Sequence, residues 1–174
     1  MTKLNSALAV FAALSLTACA TAAPPILLTS PYDAIAHNVQ PGGNTISGNA
    51  VLRTVGGDVK TCAGFPVKLV PATAYSSERM AAIYGGGDRG YMPLYAAKTF
   101  SPPNPHYDAQ AGRTETCDSQ GNFAFERISD GTYYLVSIVT WGVPQQYYTA
   151  QQGGALMMKV SVNGGETKRI VLTQ

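Results

Sequence analysis

From Asn44 onward the chain alternates apolar and polar residues with a period of two, and tight-turn residues interrupt that alternation at short intervals. Successive side chains of a strand point to opposite faces, so this pattern selects half-buried β-strands over helices. Ile46, Gly48, Ala50 and Leu52 share one face of a first strand, and Gly56-Gly57-Asp58 turns the chain. Phe65, Val67 and Leu69 alternate with Pro66, Lys68 and Val70 in a second strand that Pro71 ends. Beyond Arg113, Thr114 and Thr116 lead into Cys117, and Asp118-Ser119-Gln120-Gly121 forms a turn. There the Asp bonds its own backbone and the Gly accepts positive φ. Phe123 and Phe125 point one way, and Ser129-Asp130-Gly131 makes a hairpin turn. Tyr133, Leu135, Ser137, Val139 and Trp141 line one face of the next strand, and Tyr134, Val136, Ile138 and Thr140 the other. With two apolar faces this strand is central, and its outer face needs a cover. Leu156, Met158, Val160 and Val162 alternate with Met157, Lys159 and Ser161, and Asn163-Gly164-Gly165 with Thr167–Leu172 reads as a closing hairpin. About seven short strands at this spacing predict an all-β fold, a single sandwich.

Residues 74–112 break the rhythm. Ser76 or Ser77 is placed to cap a short helix through Arg79, Met80, Ala81 and Ala82. Gly85-Gly86-Gly87-Asp88 lacks the Lys and Ser/Thr of a phosphate-binding loop and reads as a hinge. An irregular run follows, through Pro102-Pro103-Asn104-Pro105. Insertions of this length are usually functional or mobile, and this one is the natural cover for the central strand.

The N-terminus reads as an address. Lys3 supplies a positive n-region, and the apolar run Ala7–Leu14 is too short to span a bilayer. Leu16-Thr17-Ala18-Cys19 resembles the lipobox of bacterial lipoproteins, in which the Cys is acylated and becomes the new N-terminus. Ordinary cleavage at Ala18-Cys19-Ala20 or Ala20-Thr21-Ala22 is the competing reading. The chain then divides into a signal peptide (1–18), a Pro-rich tether (19–43) in which Ile26-Leu27-Leu28 is able to dock, and the sandwich (44–174). Ala20 is not Asp, which by resemblance to Gram-negative lipoproteins implies the outer membrane, facing the periplasm. Acylation of Cys19 leaves Cys62 and Cys117 as an even pair in an oxidising compartment, where a disulfide is the default. A metal site or a reactive thiol is the rival, without CxxC spacing or a nearby His to support it. Only 13% of residues are charged and the formal net charge is +2, which argues against nucleic acid as a partner.

The run Thr116-Cys117-Asp118-Ser119-Gln120-Gly121-Asn122-Phe123-Ala124-Phe125, with Gly131-Thr132-Tyr133-Tyr134-Leu135, resembles the carboxypeptidase regulatory-like domains, which are transthyretin-like (prealbumin-like) β-sandwiches. Ile46-Ser47-Gly48 and Pro66-Val67-Lys68-Leu69 fit that family's opening, and Gly164-Gly165-Glu166 with the last strand fits its close. The resemblance covers roughly 44–73 and 113–173, leaving the insertion outside it. It implies a non-catalytic module, either a stability unit beside a metallocarboxypeptidase or an extracellular carbohydrate- or protein-contact domain. No peptidase domain accompanies it here.

Catalytic signatures are sparse. The two histidines are His37, in the tether, and His106, beside Tyr107 and Asp108. A hydrolase using Asp108 or His106 lacks a visible orienting partner for its base. Two related enzyme classes fit poorly: intradiol dioxygenases need two Tyr and two His around iron, and hydroxyisourate hydrolases end in Tyr-Arg-Gly-Ser. An isopeptide between Lys68 and Asn163 would need Lys68 to face inward, against its parity. The positive signal is aromatic. Tyr84, Tyr91, Tyr95, Phe100 and Tyr107 fall in the insertion, and Trp141, Tyr147 and Tyr148 follow the central strand. Such side chains have an apolar body and a polar tip, suited to packing, to sugars or to a protein partner. The expectation is a non-enzymatic envelope lipoprotein, without cofactor, acting as a binding or structural module through its aromatic-rich loop. Its partners would be the membrane, through the lipid, and an envelope protein or glycan. The alternatives are a carbohydrate-binding module and, last, an unrecognised hydrolase.

Overall fold

The computed structural model describes residues 23–174; the signal segment and Cys19 lie outside the described residues. Among the described residues nine strands and two α-helices follow in the order β1 (Pro41–Arg53), β2 (Val59–Thr61), β3 (Pro66–Pro71), α1 (Ala74–Tyr84), β4 (Arg89–Pro93), α2 (Pro105–Gln110), β5 (Arg113–Thr116), β6 (Asn122–Ile128), β7 (Gly131–Pro144), β8 (Thr149–Val162) and β9 (Thr167–Leu172). The strands form two sheets packed as a sandwich. In the first, β1 pairs antiparallel with β6 and β2 and parallel with β9. The second has the order β4-β8-β7-β3-β5, antiparallel throughout.

The alternation read from the sequence is the alternation of burial. Ile46, Gly48, Ala50 and Leu52 of β1 are buried with their intervening neighbours half-buried. Phe125, Ile128, Leu135, Leu156 and Leu172 complete the core between the sheets. Cys62 follows β2 of the first sheet and precedes β3 of the second, while Cys117 stands where β5 hands over to β6. Their disulfide, with Cα atoms 5.8 Å apart, therefore pins together two points where the chain crosses between sheets.

Three features differ from expectation. The last two strands do not form a hairpin: β8 belongs to the second sheet and β9 to the first, so Asn163–Glu166 is an arch between sheets. Asn44, buried on β1, fixes that arch. Its Nδ2 donates to Ile128 O and Asp130 Oδ1, and its Oδ1 accepts from Glu166 N. The strand count agrees roughly with the expected seven, the additional strands being the short β2 and the edge strand β4. The helix starts earlier than Ser76, with Thr73 as its N-cap in a capping box with Ser76, and it stops at Gly85, whose φ of 88° is left-handed. Gly85–Asp88, read as a hinge, thus carries the chain from the C-cap of α1 into β4. Met80 of α1 packs on Tyr134 and Met157, so the insertion covers the Tyr134–Val136 part of the outer face of β7 and leaves Ile138 40% exposed.

The stretch read as a tether is docked from Ile26 onward. Ile26 N donates to Thr99 O, and Ser101 N donates to Ile26 O. The Glu78 carboxylate accepts from Thr29 N and Ser30 N at 2.8 and 2.7 Å. His37 is fully buried within reach of the rings of Tyr32, Tyr75 and Tyr107. Its Nδ1 donates to Asp33 O, leaving Nε2 to accept from Thr73 Oγ1 at 2.8 Å. Docking at Ile26 agrees with the sequence reading, and the buried His37 with its aromatic cluster, not foreseen in a tether, holds the rest of the segment down.

Candidate functional site

β7 and β8 pair residue for residue over fourteen positions, from Gly131↔Val162 to Pro144↔Thr149. Toward the turn of this hairpin the burial lapses, and Gln151 and Gln152 are exposed. Trp141 shares the inward parity of Leu135 and Val139, and Gln152 is its cross-strand partner. On the other side of β8, Tyr91 of β4 stands opposite Leu156. Both rings rest partly on the core. These residues, with Tyr95, Gln151 and the Arg53–Val55 end of β1, line an open groove of about 380 Å³ at one mouth of the sandwich.

Two glycines shape its floor. A Cβ built at Gly154 would stand 2.8 Å from Tyr91 Cε2 and 2.8 Å from Pro93 Cα. One at Gly153, whose φ is +105°, would stand 3.0 Å from Trp141 Cζ3. Glycine here lets both aromatic rings lie against the backbone of β8, which fixes their orientation from below. Burial raises the Tyr91 pKa, as does the neighbouring Tyr95 phenol to a lesser degree, so Tyr91 stays a neutral donor and acceptor at physiological pH. Tyr95 projects at the rim, 93% exposed. The groove therefore combines apolar ring faces with the hydrogen-bonding heads of Arg53, Thr54, Gln151 and Gln152. That is the lining suited to a ligand having an apolar face and a hydroxylated edge.

The other aromatic residues singled out in the sequence lie elsewhere. Tyr84, the last residue of α1, packs against the Met80, Tyr134 and Met157 cluster, and burial pushes its pKa up to about 12. Tyr107 is buried against Tyr75 and His37, with its pKa raised chiefly by burial. Both are packing residues. Phe100 lies under the guanidinium of Arg79, 3.9 Å from its ring centroid. Tyr147 and Tyr148 are 87% and 68% exposed at the tip of the β7–β8 hairpin, outside the groove.

His106 is exposed on α2, and Asp108 is held by Arg79 at 2.7 Å. Lys68 turns outward, as its parity requires, and Nζ donates to Asp108 O at 2.6 Å; burial lowers its pKa. Asn163 is in the arch, its N–H donating to Glu166 Oε1. Among the described residues no group of three His, Cys, Asp or Glu is placed to hold a metal ion. A smaller cavity of about 240 Å³, lined by Tyr32, Tyr75, Phe100 and Asn104, lies between the docked N-terminal segment and the insertion.

Sequence reading missed Arg53, Thr54, Gln151 and Gln152. The signal available was the parity of Gln152 with Leu156, next to a Gly-Gly pair in an otherwise apolar strand.

No protein-family model matches the chain, and no curated protein matches it in sequence. Among solved structures it is similar to a proposed carbohydrate-binding protein from Pseudomonas aeruginosa. The identity is 28% and the TM-score 0.63, over 78% of this chain and 92% of that one.

Proposed function

We propose that this protein is a non-catalytic carbohydrate-binding module of the bacterial cell envelope, and that its site is the groove between the end of β1, β4 and the β7–β8 hairpin. The observation that carries the reading is the convergence there of Tyr91, Tyr95 and Trp141 with two glutamines and an arginine, two of the rings lying on a glycine floor. Ring faces stack on the C–H faces of pyranoses, and amide and guanidinium groups meet their hydroxyls. The similarity to a proposed carbohydrate-binding protein supports it, as does the resemblance of the turn and core residues to carboxypeptidase regulatory-like domains. Trp141 is the single tryptophan, so its fluorescence reports on the groove alone. Titration with envelope polysaccharides should quench or shift that emission, and Tyr91→Ala should abolish the change. A flat titration across such glycans contradicts the reading.

The module is anchored through acylated Cys19. Three residues lie between Cys19 and Ala23, four chain steps that reach at most about 14 Å. Ala23 and Pro24 lie beside Tyr95, so the anchor would hold the groove's rim near the membrane surface. Cys19→Ser should move the protein from the membrane to the soluble fraction; retention in the membrane contradicts the anchor. A second reading, capture of an envelope protein, is favoured by the exposed Tyr147 and Tyr148 at the hairpin tip. Pull-downs with a Tyr147→Ser/Tyr148→Ser variant test it: loss of a discrete partner supports it, and unchanged recovery refutes it.

A further inference from the structure

The one basic side chain lining the groove, Arg53, offers five N–H donors and no acceptor, while Gln151, Gln152 and Gln174 each carry both an NH2 donor and a carbonyl acceptor. No Asp or Glu side chain lines the groove. Among the described residues Arg53 forms no ion pair, as holds for most of the basic side chains; the pairs formed are Lys60–Asp58, Arg79–Asp108 and Arg113–Glu115. Asp58, the acid in the turn that follows β1, is thus engaged by Lys60 at 3.7 Å. A neutral sugar presents hydroxyls that must donate as well as accept, and carboxylates are the usual receivers of paired hydroxyls. A carboxylate ligand only accepts, and it matches the planar fork of a guanidinium with two parallel hydrogen bonds.

We propose, resting on the carbohydrate reading above, that the groove takes an acidic polysaccharide in which a uronate carboxylate pairs with Arg53 while its ring, or a neighbouring one, stacks on Trp141 and Tyr91. Arg53 is a specificity residue in this arrangement: the aromatic floor holds sugar rings of either charge, and the guanidinium selects those bearing a carboxylate. Because the site is open to solvent, the preference is screened by salt, while stacking is not.

The test compares alginate, polygalacturonate and hyaluronan with their carboxyl-reduced forms, which keep the backbone and lose the charge. Binding is read by Trp141 fluorescence and by calorimetry. At least one acidic polymer should bind about three- to tenfold more tightly than its reduced form, the range of an exposed to partly shielded charge-assisted contact. Arg53→Gln should bring the two affinities to within about twofold, weakening the acidic polymer more than its reduced form, and Arg53→Lys should restore part of the difference. Equal or tighter binding of the reduced forms overturns the acidic preference and leaves the carbohydrate reading standing. Acidic binding that survives Trp141→Ala and Tyr91→Ala marks general ion exchange away from the groove and overturns the inference. Failure of every acidic and reduced polymer to bind overturns it together with the carbohydrate reading.

Discussion

Replacing Gly154 by Ala tests the glycine floor directly. Gly154 is buried on β8 opposite Pro93 of the edge strand β4. The added methyl group would meet Met92 O, Pro93 Cα at 2.8 Å and Tyr91 Cε2 at 2.8 Å. Two of these three atoms are backbone, so a side-chain rotation does not relieve the contact and β4 must move away from β8. Overpacking of this kind costs about 1–3 kcal/mol, which for a domain of this size lowers Tm by roughly 3–10 °C. The same shift tilts Tyr91 off the floor, so glycan affinity should fall with stability. Gly56→Ala is the control: its Cβ would find Thr54 Oγ1 at 3.8 Å as its nearest neighbour. There the change should stay within about 0.5 kcal/mol. Thermal melts followed by circular dichroism, with Trp141 titrations below the transition, read both effects. A Gly154→Ala protein that melts and binds as the parent does would refute the packing argument and the claim that the floor orients the rings.

Three further perturbations separate the supports of the fold. A Cys62→Ala/Cys117→Ala protein loses the closure of a 55-residue separation, worth about 4 kcal/mol in the chain-entropy model; urea midpoints of the variant and the oxidised parent measure it. Asn44→Ala strands Ile128 O and Glu166 N inside the β8–β9 arch and should cost about 2–4 kcal/mol, with hydrogen exchange rising first along β9. Glu78 has its pKa lowered to about 2, first by the Thr29 and Ser30 backbone N–H groups. Since the folded value lies below the unfolded one, its hold on the N-terminal segment is complete above about pH 4.5 and fades as pH falls toward about 2. Exchange of the Thr29 and Ser30 amides should accelerate across that window, and Glu78→Gln should exchange fast at every pH. Protection in the parent that is independent of pH would contradict the assignment.

The sandwich was legible because its determinants are local: side-chain period two placed Ile46, Phe125, Leu135 and Leu156 inward without knowledge of their partners. The disulfide was legible because setting Cys19 aside as the expected acylation site leaves Cys62 and Cys117 as an even pair. The β8–β9 arch was not, because Asn163-Gly164-Gly165 suits a hairpin and an arch equally, and the parallel partner of β9 lies more than a hundred residues upstream on β1. Strand β4 was hidden because Arg89-Gly90-Tyr91-Met92-Pro93 sits on an edge and has no alternation to read. Residue type alone could not sort the tyrosines. Tyr107 and Tyr84 share composition and neighbourhood with Tyr91 and Tyr95, and only the packing of α1 and α2 sends the first two inward. The polar half of the groove was invisible for a similar reason. Arg53 and Gln152 are about a hundred residues apart, and they meet only through the stacking of one sheet on the other.

The central claim is that carbohydrate binds at the mouth formed by β1, β4 and the β7–β8 hairpin. Amide chemical-shift mapping with a saturating glycan that quenches Trp141 tests it most directly. The account predicts perturbed amides at Arg53–Val55, Tyr91–Leu94, Trp141 and Gln151–Gly153, forming one continuous patch. Shifts confined to the Tyr147–Tyr148 tip, or to the cavity beside Tyr32 and Tyr75, would contradict it.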